Sequence, residues 1–213
     1  SPYLTSSGST LAQFLRVPIS KHIPMEAQRI VRHLHQGLLG DVYEVYDEAL
    51  GETFALKVID RDFVDEEGFS DQFERECQVV TQFEHDAVFD LKLFGVTKWK
   101  HWLRYEFFEE FEFEGSSVRT FLDYLQANST GLDEDEVVFV TGQILQALAQ
   151  AHAMGLLHRN LKPSNLLLRR LEDERLEVKI ADFGLIRLVG EERFRELWDS
   201  SACKELDYGL LQN

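Results

Sequence analysis

Apolar residues in the first half of the chain come in short runs broken by polar or glycine-bearing turns. Residues 30–34 and 42–46 form two such runs around Gly37-Leu38-Leu39-Gly40, and residues 53–59 alternate as a third after a turn at 47–51. Runs of this length between turn residues predict strands, here an antiparallel meander. The period then changes. Phe73, Cys77, Val80 and Phe83 recur at i, i+4, i+7 and i+10, which predicts a helix over 71–83. Strands are predicted next over 91–96 and 102–113. The second ends in Phe111-Glu112-Phe113-Glu114, the alternation of a half-buried strand.

Beyond Gly115-Ser116-Ser117 the pattern turns helical. Residues 118–126 and 134–154 predict helices. The longer one opens on Asp133-Glu134-Asp135-Glu136, where carboxylates favour the positive end of the helix dipole, and closes at Gly155. The expected organisation is an N-terminal extension over 1–28, partly flexible, a β-rich lobe over 29–114 and a helical lobe over 115–213. Within the extension, Leu11, Phe14 and Leu15 predict a short helix. There is no initiator Met and no signal-peptide pattern, so the chain is expected to begin inside a longer protein.

Composition narrows the class. The 213 residues include 44% apolar ones, led by sixteen Phe, enough for a sizeable core. Asp and Glu number 38 against 22 Lys and Arg, a net charge of −16 that disfavours a nucleic-acid partner. No run of 18 apolar residues is present, so no membrane segment is expected. Cys77 and Cys203 are too few for a disulfide framework, which fits a reducing, cytoplasmic (intracellular) setting.

Chemistry enters through a few residues. Gly37 and Gly40 could let backbone N–H groups approach phosphate, although two glycines three apart also make an ordinary hairpin. Lys57 sits mid-strand in Phe54-Ala55-Leu56-Lys57, where a lone lysine usually marks an edge. Glu76, alone, reads as a solvated helix carboxylate. What changes the picture is His158-Arg159-Asn160-Leu161-Lys162-Pro163-Ser164-Asn165, followed by Ala181-Asp182-Phe183-Gly184. These sets, in this order behind a glycine turn and a strand lysine, are hard to obtain by chance.

From about Arg29 to Arg187 the chain resembles the eukaryotic-type protein kinase family, in its serine/threonine-like form, which Lys162 marks. The resemblance implies an α+β, bilobal protein-kinase-like fold, with a β-rich N-lobe and a helical C-lobe that looks truncated after Asp-Phe-Gly. Gly37 and Gly40 match the second and third loop glycines, with Val42 in its usual place and His35 in place of the first. By resemblance, Ala55 joins the nucleotide-binding set, and Lys57 pairs with the α- and β-phosphates of ATP, held there by Glu76. Asn165 and Asp182 would supply oxygens to Mg2+, and Lys162 would counter charge on the γ-phosphate. The implied partners are ATP and a protein substrate or regulatory protein.

The pattern breaks in three places. Asn160 stands where the family carries its catalytic-loop aspartate, the position of the catalytic base, and an amide has no comparable basicity. It is either native, as in a pseudokinase, or an engineered change in an active kinase. His35 places a side chain where the loop usually has glycine. Only twenty-nine residues follow Gly184, with no Ala-Pro-Glu among them; Ser200, Ser201 and Tyr208 fall where an activation segment is expected, with Arg159 of the type that grips a phosphate there. An interaction module that keeps these motifs only as relics of the fold is the weakest reading.

Overall fold

Strand β1 (Gln28–Gly37) pairs antiparallel with β2 (Gly40–Asp47), and β2 with β3 (Glu52–Ile59). The computed structural model describes residues 28–37, 39–65, 67–97 and 100–189. The helix expected near Leu11 and Ser200, Ser201 and Tyr208 of the expected activation segment lie outside them. The expected meander is present, with strands that run further toward the turn than the apolar runs suggest. Gly40 is required where β2 starts. Its φ is +146°, and a Cβ there would lie 2.0 Å from the Val58 carbonyl oxygen.

A four-residue helix, α1 (Arg61–Val64), follows β3; it is too short to show a period and is not predicted. Helix α2 (Phe69–Val80) replaces the helix predicted over 71–83, starting two residues earlier and ending at Val80. Its apolar stripe, Phe69, Phe73, Cys77 and Val80, is buried against the sheet as the period requires. Strands β4 (Leu91–Thr97) and β5 (Lys100–Glu106) complete a sheet of order β1-β2-β3-β5-β4.

The strand predicted over 102–113 is in fact two. β5 stops at Glu106, and β6 (Phe111–Phe113) pairs instead with β7 (Ser116–Val118), turning at Gly115 with φ +80°. The Phe/Glu alternation survives the break, since it reports which side is buried and not which strand is the partner. Val118 therefore ends a strand instead of starting a helix. Helix α3 (Phe121–Ala127) begins after Thr120, whose hydroxyl accepts from the Asp123 N–H while the Asp123 carboxylate caps back. Helix α4 (Glu134–Ala153) carries the same reciprocal cap through Asp133 and Glu136. A hairpin of β8 (Leu166–Arg170) and β9 (Leu176–Ile180), not predicted from the pattern, lies between the two polar motifs.

Two main cores result. One lies between the inner face of the five-stranded sheet and α2; the other joins α3, α4 and the β8–β9 hairpin. On the outer face of the sheet, Val45, Phe54, Leu56 and Trp102 form a smaller cluster. Beside it, the Arg104 guanidinium lies 3.9 Å from the centre of the Phe54 ring and donates to Asp47 at 3.0 Å. Asp47 also accepts from the Ala49 and Leu50 N–H groups of the β2–β3 turn. Both charges are buried, so each needs the other. Asp47→Ala is expected to cost about 3–5 kcal/mol in urea unfolding, the cost of a stranded buried charge.

Candidate active site

The inner face of the sheet builds the upper half of the site. Val42 is the cross-strand partner of Lys57, and Ala55 lies two residues before Lys57 on the same face. All three are buried. A Cβ added at Gly37 would lie 3.5 Å from Lys57 Nζ, so the glycine turn rests directly on the lysine head. Leu39, in the same turn, is buried, and its carbonyl accepts from Asp60 N–H at 2.8 Å.

The Lys57 side chain is only 4% exposed, and its ammonium donates to Asp182. Asp182 follows β9 with φ +59°, the left-handed region. Burial alone would push its carboxyl up; the Lys57 charge and hydrogen bond outweigh this and hold it below the usual range.

Glu76 is placed differently from expectation. It projects from α2 toward Arg187, with Oε2 3.6 Å from Nη1, and it is Asp182 that pairs with Lys57. The cause is a 3-10 turn at Leu185–Leu188 packed under α2. Leu185 is 1% exposed and shares a core with Phe73, Cys77 and Val80. The Arg187 carbonyl accepts from the Gln72 side chain. Gly184, at φ +74°, backs onto Val80 so closely that a Cβ would sit 2.8 Å from its Cγ2. The turn thus occupies the inner side of α2, and its arginine takes the glutamate. Arg187 and Gln72 were not singled out from the sequence; the apolar Leu185–Val189 run after Gly184 is the signal that could have found them.

The lower half is the loop from His158 to Asn165. The buried His158 ring donates through Nε2 to the Ala181 carbonyl at 2.8 Å and accepts the Asn160 N–H at Nδ1 at 3.2 Å, which fixes its tautomer. Its face meets the Phe183 ring edge-on at 5.0 Å. Asn165 Nδ2 donates to the Asn160 carbonyl at 2.8 Å, and the Asn165 carbonyl accepts from Ala181 N–H at 2.8 Å. This stitching sets the catalytic-loop and Asp-Phe-Gly segments side by side, with Asn160 buried. Pro163 opens the 3-10 turn Pro163–Asn165, which carries Lys162 at its N-cap. Among the described residues no three His, Cys, Asp or Glu side chains cluster to hold a metal unaided. The Asn165 amide oxygen and the Asp182 carboxylate are of the hard-donor type Mg2+ prefers, and phosphates would be needed to complete a site.

The comparisons agree with this geometry. The protein kinase domain family profile matches residues 29–208. A carbon catabolite-derepressing protein kinase of Candida glabrata is 32% identical over 166 residues, covering 78% of this chain and 25% of the relative. The serine/threonine-protein kinase RAD53 of Saccharomyces cerevisiae is 30% identical over 208 residues, covering 98% of this chain and 23% of the relative. Among solved structures, a Mycobacterium tuberculosis PknI kinase domain matches with a TM-score of 0.62 at 22% identity, over 78% of this chain and 62% of that one. The chain belongs to the protein kinase family. It spans about a quarter of the length of these two curated relatives.

Two predictions follow from packing and burial. If apolar contact holds the turn under α2, Leu185→Ala costs about 2–5 kcal/mol in thermal or urea unfolding. Arg187→Ala, which breaks a partly exposed pair, costs less than about 1 kcal/mol. Burial also lowers the proton affinity of His158 and His101. Each then binds protons less readily folded than unfolded, so stability is full above about pH 6.5 and falls as pH drops below it. Thermal melting followed across that range should show the decline, and His101→Phe should flatten it.

Proposed function

We propose that this kinase domain binds ATP with Mg2+ and is impaired in phosphoryl transfer, acting in the cytoplasm as a scaffold or allosteric partner of another protein. The observation that carries the reading is Asn160 in the seat of the catalytic base, surrounded by an otherwise intact set of polar residues. In this reading Lys57 meets the α- and β-phosphates, Asn165 and Asp182 hold the ion, and Lys162 stands near the γ-phosphate. Gly37, Gly40, Val42 and Ala55 surround the nucleotide. Glu76 supports Lys57 once α2 exchanges its Arg187 contact for the lysine. The proposed organisation remains an extension over 1–28, an N-lobe over 29–114 and a C-lobe over 115–213.

Phosphoryl transfer depends mainly on positioning and charge, which this set retains; it loses the group that accepts the substrate proton. A second reading, an active serine/threonine protein kinase carrying an engineered Asn160, draws support from the same intact residues and from the serine/threonine kinase relatives.

A thermal-shift titration with ATP and Mg2+ tests binding, because a ligand of the native state raises the melting temperature. No stabilisation up to millimolar ATP would overturn both readings. Transfer of labelled phosphate from ATP to a basic test protein then measures the remaining activity, and the codon for position 160 in the natural gene separates the two readings. The impaired reading expects a weak signal that Asn160→Asp raises by about 10²–10⁴-fold, the usual worth of a positioned base.

A further inference from the structure

Position 35 carries an imidazole where the family has glycine, and the strand register decides which way it faces. His33 pairs with Tyr43 while His35 pairs with Val42, so an irregularity between them turns the two histidines to opposite faces of the sheet. His33 goes outward: its ring meets Tyr43 edge-on at 5.2 Å, and its Nε2 lies 2.8 Å from Asp41 Oδ1. His35 shares the face of Val42, and therefore of Lys57. Two residues further on, Gly37 backs onto the lysine head.

The charged groups within electrostatic reach of His35 are Lys57 on β3, Asp182 after β9, Arg119 after β7 and His33 on its own strand. The residue is exposed at the cleft, yet the protein around the ring disfavours its charged form. Burial is the larger cause and the Lys57 ammonium the next, and together they lower the proton affinity of His35. Both causes favour the neutral ring. Lys57 and Asp182 are the same two groups that the nucleotide reading assigns to the phosphates and the ion.

We propose that His35 contacts the phosphate chain of a bound nucleotide and takes up a proton from solvent as the nucleotide binds. The inference rests on the nucleotide-binding reading above. A glycine at this position offers the phosphates only a backbone N–H; an imidazolium adds a charge-assisted side-chain donor. A polyphosphate entering beside Lys57 offsets the ammonium's share of the effect that disfavours the charged ring. Proton uptake and nucleotide affinity are then linked, so affinity rises as pH falls through the histidine range.

Isothermal titration of the full chain with Mg·ATP and with adenosine, at about pH 6 and about pH 8, tests this. Each titration is repeated in two buffers of different ionisation enthalpy, for the unaltered protein, His35→Gly and His35→Gln. The protonation of ATP itself is common to all three proteins and cancels in the comparison. The unaltered protein is expected to show buffer-dependent heat from proton uptake, and to gain about 3–10-fold more affinity for Mg·ATP at the lower pH than either variant. Adenosine affinity should be the same in all three. Identical pH dependence and buffer response in the variants would overturn the proposal, leaving nucleotide binding intact. Tighter Mg·ATP binding by His35→Gly at both pH values would also overturn it, by making the ring a steric obstacle. An equal loss of adenosine affinity would move His35 away from the phosphates and overturn it as well. If the unaltered protein binds neither ligand at either pH, the nucleotide reading fails, and this inference with it.

Discussion

An ammonium group removed from water must find an anion, and much of this site follows from how Lys57 meets that demand. Its side chain is 4% exposed, in a strand lined by Val42 and Ala55, where an unpaired charge would be severely destabilising. Asp182 and Glu76 are the acidic groups that the family pattern offers it, and the structure uses Asp182. That choice ties the N-lobe sheet directly to the segment after β9. Through the Asn165 carbonyl and the Ala181 N–H it reaches the catalytic loop as well. One ion pair thus connects both lobes at the place where the proposed nucleotide would insert its phosphates. A polyphosphate would compete with Asp182 for the same ammonium, while magnesium would neutralise the carboxylate that is released.

Glu76 faces Arg187 instead of Lys57 in this structure, and packing contributes more to that arrangement than charge does. Its pair with Arg187 is partly exposed and contributes little. The buried Leu185 and Leu188, seated among Phe73, Cys77 and Val80, contribute much more per residue. The close approach of Gly184 to Val80 belongs to the same contact: a Cβ there would meet Val80 Cγ2 at 2.8 Å, so the valine or the turn would have to shift. The hydrophobic effect therefore sets where the helix sits, and the salt bridges rearrange to suit it.

This division explains what could be read from the sequence. The meander, α2 and α4 were legible because each repeats its period for long enough to reveal a buried face. The break between β5 and β6, and the β8–β9 hairpin, were not. Phe111 and Phe113 alternate with glutamate whether their partner is β5's neighbour or Ser116 and Val118, since alternation carries no information about hydrogen-bond partners. In the site, candidate residues were legible because each proposed role calls for a particular functional group: an ammonium at 57, a carboxylate at 182 and an amide at 165. Asn160 was visible as a departure where a carboxylate is called for. The partner of Glu76 was not legible. An ion pair is selected by tertiary packing, and neither the spacing to Lys57 nor that to Arg187 specifies which cation the helix will face.

The same distinction bears on Asn160. Two hydrogen bonds hold its backbone in the loop: the N–H to His158 Nδ1 and the carbonyl from Asn165 Nδ2. Neither bond involves its side-chain amide. These two bonds use groups that every residue type at this position, other than proline, would provide. Exchanging carboxylate for amide leaves those two backbone bonds available, while the side chain loses its charge and its ability to accept a proton at neutral pH. Geometry and basicity are thus separable at this position. A chain can keep the architecture for holding a nucleotide while giving up the group that would activate an incoming hydroxyl.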